Sequence, residues 1–195
     1  MSHAAIMDAV YDLLREKPAR DLTMEAVAKR ANVGKPTLYK WWPTKGALIM
    51  AMFHERLDRP AELPATLTAE DALRAKMRHL ITVLNGFFGK VVSELIAEGQ
   101  SDPDILREFY EQHVSLRRAA AVEDIERGKA TGEFSADTNP ELLLDAMVAP
   151  LYYRLLLRFA PLTEKYGNDL IDQVLLGVRM KPKPSSPKGR SGLRR

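Results

Sequence analysis

Cysteine is absent from the 195 residues, so the chain has no disulfide framework and no thiolate metal site. Long apolar runs are missing too. No window reaches about 18 uninterrupted apolar residues, and the first 25 residues lack a basic start followed by an apolar block. We therefore expect a cytoplasmic protein with no membrane partner. Catalytic patterns are equally scarce. The four histidines lie in separate segments, and His54-Glu55-Arg56-Leu57-Asp58 has Asp where a zinc-protease motif needs its second His. Gly34-Lys35-Pro36 lacks the spacing of a phosphate loop, and its proline removes an amide such a loop would use. There is no nucleophile elbow, and Glu123 and Glu126 sit amid Arg127 and Lys129 as on a solvated helix face. The expectation is no enzyme, no cofactor and no metal.

Aromatic residues make up only 7% of the chain, so a local concentration of them is informative. The stretch 31–48, ANVGKPTLYKWWPTKGAL, holds both tryptophans, a tyrosine and three lysines without a carboxylate. Charge is uneven on the larger scale as well. Residues 1–55 carry eight Lys/Arg and six Asp/Glu, residues 56–180 carry fifteen and twenty, and residues 181–195 carry six basic residues and no acid. An acidic body thus has two basic ends. Lys29 to Lys45, with five cations and no acid, is a local patch that attracts polyanions.

Apolar residues recur at three and four and nowhere alternate as in a strand, which predicts an all-α chain. Pro18 ends a first helix near Lys17. Thr23 caps a second of about two turns, and Asn32 stands where a left-handed cap is wanted. Gly34 and Pro36 open a third, Lys35 to about Trp42. Pro43 ends it, and Thr44 caps a fourth running towards Leu57. Two short helices around a tight turn at Val33 make a helix-turn-helix unit. Longer helices are predicted at about Ala69–Asn85, Phe87–Glu98, Pro103–Ala130, Pro140–Phe159 and Thr163–Val178, with breaks at Gly86, Gly99–Pro103, Gly132–Pro140 and Ala160-Pro161.

In this unit Ala28, Val33 and Leu38 can lock the helices, leaving Lys35, Pro36, Thr37, Tyr39 and Lys40 outward. That set suits DNA: lysine neutralises phosphate, tyrosine bonds a phosphate oxygen, and threonine reads a base edge or a thymine methyl. Thr23, Thr44 and Lys45 stand at neighbouring helix starts, where amides and side chains clamp phosphates. The run Leu22-Thr23-Met24-Glu25-Ala26-Val27-Ala28 through Val33-Gly34-Lys35-Pro36-Thr37-Leu38-Tyr39-Lys40-Trp41-Trp42-Pro43-Thr44-Lys45 resembles the DNA-binding domain of the TetR/AcrR family of bacterial regulators. The resemblance covers about Ala4 to Met52 and departs at Gly34, where the family usually has a hydroxyl residue. It implies backbone contacts from Thr23, Tyr39 and Lys45 and groove contacts from Lys35, Pro36, Thr37 and Lys40. Trp41 falls at the protein–DNA edge, and Trp42 in the core.

The expected organisation is an N-terminal three-helix DNA-binding domain (1–55), a helical ligand-binding and dimerisation domain (56–180) and a disordered basic tail (181–195). In Asn139 to Arg158 and the helix after it, Leu143, Leu151, Leu155, Ile171, Leu175 and Val178 offer apolar faces that either complete one core or meet another subunit. The run Pro-Leu-Tyr-Tyr-Arg-Leu-Leu resembles the ligand-binding half of one TetR-like subgroup, in which the last two helices form a two-fold bundle, implying a homodimer on a double-stranded operator. A cavity for an unknown small-molecule effector is a further implication. Candidates for its lining are Phe87, Phe88, Phe109, Tyr110, His113, Met147, Tyr152 and Tyr153, with His113 on an apolar helical stripe. The implied protein is a ligand-responsive repressor. A constitutive architectural DNA binder, or a small-molecule-binding helical protein with a relic head, remain alternatives.

Overall fold

The computed structural model describes residues 3–57, 64 and 66–178, which contain ten α-helices and no β-strand. The expected basic tail lies outside the described residues. Helix α1 (His3–Glu16) is followed by a 3-10 turn (Ala19–Asp21). The Thr23 hydroxyl accepts from the Ala26 amide at 3.1 Å to open α2 (Met24–Arg30). Asn32 is left-handed, with φ 53°, and the chain turns directly into α3 (Lys35–Trp41), with proline in its first turn. Thr44 accepts from the Ala47 amide at 2.9 Å and starts α4 (Lys45–Arg56).

Helices α5 (Ala69–Asn85) and α6 (Phe87–Gly99) meet at Gly86 with a bend of 79°. A Cβ on Gly89 would overlap the Leu84 carbonyl, so only glycine lets α6 leave α5 so closely. The sequence predicts one helix from Pro103 to Ala130. The structure instead inserts a π turn (Tyr110–Val114) between α7 (Pro103–Phe109) and α8 (Ser115–Thr131). The wider i→i+5 turn turns the faces of α8 relative to α7, burying His113 and leaving Tyr110 in water. Side-chain caps from Asn139 and Thr163 open α9 (Pro140–Leu157) and α10 (Glu164–Leu175).

Two apolar cores organise these helices. The first joins α1–α4 to α6 and α7 through Met7, Leu14, Leu38, Phe53, Leu95 and Phe109, so the N-terminal unit sits on the second half by direct packing. The second, between α5 and α8–α10, contains Leu73, Ile81, Ile125, Phe134 and Leu144. Beside it the buried Asp124 carboxylate holds both Lys76 and Arg127. Leu155 packs against both cores.

This arrangement reassigns most of the residues expected at a subunit interface. Leu143, Leu151, Ile171 and Leu175 are buried within their own chain, and Val178 lies partly buried against the second core. The apolar residues of α9 are spread around its circumference, so they give little signal for which side turns inward. The large apolar residues left in water on and around it are Leu142, Tyr153, Leu156, Leu157, Phe159 and Leu176.

Candidate nucleic-acid interface

Seven residues are too few to hold a helix in water unaided, and α3 is placed by one anchor. Leu38 is its only buried residue, 0% exposed. Ala28 beneath it is buried, and Val33, whose amide donates to the Ala28 carbonyl at 2.9 Å, packs on the same core. Burying one leucine contributes about 2 kcal/mol. Lys35, Pro36, Thr37, Tyr39, Lys40 and Trp41 all remain exposed, Trp41 at 67%. The Lys40 ammonium lies 5.8 Å from the Trp41 ring centroid, which fits a ring sharing a polyanion edge with a cation. Trp42 points the other way and is buried at 9%, its ring 5.3 Å from that of His3.

The cations of this face are not equally free. Lys35 pairs with Glu25 at 2.8 Å, and that hydrogen bond holds the Glu25 carboxyl below its ordinary range. Among the described residues Lys29 and Lys40 have no carboxylate partner. Thr23 is engaged as a cap. Thr44 caps α4 while its hydroxyl donates to the Glu108 carboxylate at 2.7 Å. The Lys45 ammonium donates to the Ala19 carbonyl at 3.2 Å and to Glu98. The start of α4 is therefore pinned to α6 and α7 by two carboxylates. Sequence reasoning placed Lys45 at the open surface and missed both acids. Glu98 lies 53 residues further along the chain, and only the fold brings it back.

The eight candidates for an effector cavity divide between the two cores and the surface. Phe87, Phe88, Phe109, His113 and Tyr152 gather at the first core. There the Phe53 ring lies 4.9 Å from Phe88 and 5.4 Å from His113, and His113 stacks on Phe109 at 5.5 Å. Burial, then the charges of Arg117 and His54, push the His113 pKa down to about 4, so its imidazole is neutral at pH 7. Met147 belongs to the second core, and Tyr110 and Tyr153 face water. An open cleft of about 460 Å³ lies elsewhere, where the α5–α6 elbow faces the loop between α9 and α10. Three of its walls' residues, Lys90, Arg154 and Arg158, are cations that no local sequence pattern brings together.

Known proteins share this arrangement. Residues 6–52 match the family described as "Bacterial regulatory proteins, tetR family", and residues 63–174 match "Tetracyclin repressor-like, C-terminal domain". The uncharacterized HTH-type transcriptional regulator YdeS of Bacillus subtilis is 33% identical over 178 residues, covering 91% of this chain and 90% of its own. The crystal structure of the TetR family transcription regulator SCO0332 superposes with a TM-score of 0.75 at 31% identity, covering 90% of this chain and 97% of that one. The fold is also that of the transcriptional regulator FadR from Bacillus subtilis, crystallised with stearoyl-CoA. There the TM-score is 0.71 at 16% identity, covering 91% of this chain and all of that one.

Proposed function

The chain belongs to the TetR family of bacterial transcriptional regulators, DNA-binding proteins that are not enzymes, and from that premise we propose that it is a homodimeric repressor released from its operator by a small molecule. The observation that carries this reading is α3, a short helix with one buried anchor and every other side chain in water. Lys35, Pro36, Thr37 and Lys40 enter the major groove, and Tyr39, Trp41 and the helix starts capped by Thr23 and Thr44 line the phosphate backbone, while the Lys45 ammonium stays with Glu98 and the Ala19 carbonyl. The exposed Lys35–Glu25 pair does not oppose this, because exposed ion pairs contribute only about 0–1 kcal/mol and exchange readily for phosphate.

A second copy of the chain is supported by the outer stripe of α9. Leu142, Ala146, Ala149, Tyr153 and Leu156 are all exposed, and they recur at alternating steps of four and three along the helix. That is the seam spacing of paired helices, with alanines at its middle where two backbones approach closely. A two-fold pair of such chains presents two α3 helices to half-sites about 34–36 Å apart, or a multiple of that. The effector reading draws on the family and on FadR, a fold neighbour seen with stearoyl-CoA.

Selection of bound sequences from a random duplex pool by the full chain, at near-physiological salt, tests the reading. An enriched inverted repeat is expected. Folded protein that enriches nothing, or only an isolated half-site, overturns it.

A further inference from the structure

The cleft between the α5–α6 elbow and the α9–α10 loop, at about 460 Å³, lies within the range of small-molecule sites, about 300–1,000 Å³. Its walls hold three cations and no carboxylate: Lys90 from α6, and Arg154 and Arg158 from the end of α9. Leu84, Leu155 and Leu162 supply an apolar surface beside them. Arg154 is fixed in place. Its Nη1 donates to the Pro161 carbonyl at 2.9 Å, and its guanidinium lies 3.3 Å from the Tyr166 ring centroid.

Arg158 caps α9 in the left-handed region, with φ 54°, a position where glycine or asparagine is the inexpensive choice. It is exposed and has no ion pair among the described residues. A long cation thus stands at the cleft rim where helix termination alone would favour a smaller side chain.

The back wall of the cleft reaches the DNA-binding head. Lys90 donates to the Leu14 carbonyl of α1 at 2.9 Å and lies 3.4 Å from Glu94 Oε1. Glu94 Oε2 in turn accepts from the Ala19 amide at 2.9 Å. One lysine is therefore shared between the cleft and the last turn of the first helix.

We propose that the cleft binds the anionic group of a small amphipathic molecule, a carboxylate or phosphate held between Lys90, Arg154 and Arg158 with its apolar body over the leucines, and that occupancy draws Lys90 from the Leu14 carbonyl. An anion adds to the ammonium's hydrogen bond a charge–charge attraction that a neutral carbonyl does not supply. The ligand therefore competes directly with the contact that steadies α1 on α6. This identifies the effector class and its site, and its DNA readout rests on the repressor reading above.

Calorimetric titration of the full chain with octyl phosphate, octanoate and octanol tests the site without DNA. At least one charged probe is expected to saturate at one per subunit while octanol does not, and the tighter of the two identifies the preferred headgroup. Arg158→Asn and Arg158→Gly both suit the left-handed backbone and remove the charge, and each is expected to weaken binding about tenfold. Saturation by octanol as strong as by the charged probes, no saturation by either charged probe, or unchanged affinity in both variants overturns the site. Adding the bound probe to the protein on its selected duplex is expected to lower DNA affinity in the wild type, with a smaller effect in Arg158→Asn. Probe binding that leaves DNA affinity intact overturns the role of Lys90. Failure to select any duplex before probe is added counts against the repressor reading alone.

Discussion

Helices α3 and α9 both hold aromatic and apolar side chains in water, but in different company. On α3 the exposed Tyr39 and Trp41 alternate with Lys35, Thr37 and Lys40. On α9 the exposed Leu142, Tyr153 and Leu156 are joined by alanines. Rings among cations suit a partner that is charged and wet, whereas aliphatic side chains at seam spacing suit a partner that is apolar and dry. The difference shows that exposure alone does not define an interface, because neighbouring charge and helical period decide what covers it.

The sharpest way to break this comparison is to put charge on the dry face. Ala149→Glu places two carboxylates at the centre of the proposed seam. The variant is expected to sediment as a monomer and to bind the operator about a hundredfold or more weakly, as the two reading heads become unlinked. A dimer of unchanged stability would show that α9 pairs with nothing. Next in size, Leu38→Ala removes the single anchor of α3. It is expected to cost about 3 kcal/mol of unfolding free energy and to abolish site-selective binding, while leaving sedimentation unchanged. A variant that keeps wild-type stability would mean that α3 is held some other way.

Acid separates the regions differently, because the core behind the head contains His113 and α9 contains no histidine. With a folded pKa of about 4 against an ordinary 6.5, the native state binds fewer protons than the unfolded chain between those values. Stability therefore falls as pH drops from 6.5 towards 4 and is fully present above 6.5. The loss is on the order of 3 kcal/mol. His113→Gln is expected to flatten the unfolding free energy across that window. Parallel pH profiles for variant and wild type would remove His113 as the cause. The smallest effects belong to single contacts on α3. Tyr39→Phe removes a proposed phosphate contact and should weaken all duplexes alike, by about 1 kcal/mol, whereas Thr37→Ala should alter base preference by about 1 kcal/mol at one position. If the two variants behave identically, groove and backbone roles are wrongly divided between them.

How much of this was legible in the sequence follows from the range of each signal. Caps act over three residues, so Thr23 and Thr44 mark helix starts before any fold is known, and Asn32 marks the left-handed turn. The outward face of α3 was legible for the same reason: one leucine among polar and aromatic neighbours leaves a single inward choice. The π turn was not, because no residue type encodes an i→i+5 bond, and it becomes visible only when His113 is found packed on Phe53. Nor could the faces of α9 be assigned, since Leu142 and Leu143 are chemically identical and only the second core distinguishes them. The cationic cleft and the Lys45–Glu98 contact depend on residues dozens of positions apart, beyond any local pattern.

The two tryptophans give the molecule a built-in optical reporter. They are adjacent, both lie where α3 ends, and no other indole occurs in the chain. Trp41 lies in solvent at the proposed groove edge, so docking on a duplex should quench its emission or shift it to shorter wavelength. Trp42 is packed under the head and should respond only when that unit opens. Replacing either with phenylalanine leaves a single chromophore, so engagement with DNA and unfolding of the head can be followed separately without a dye.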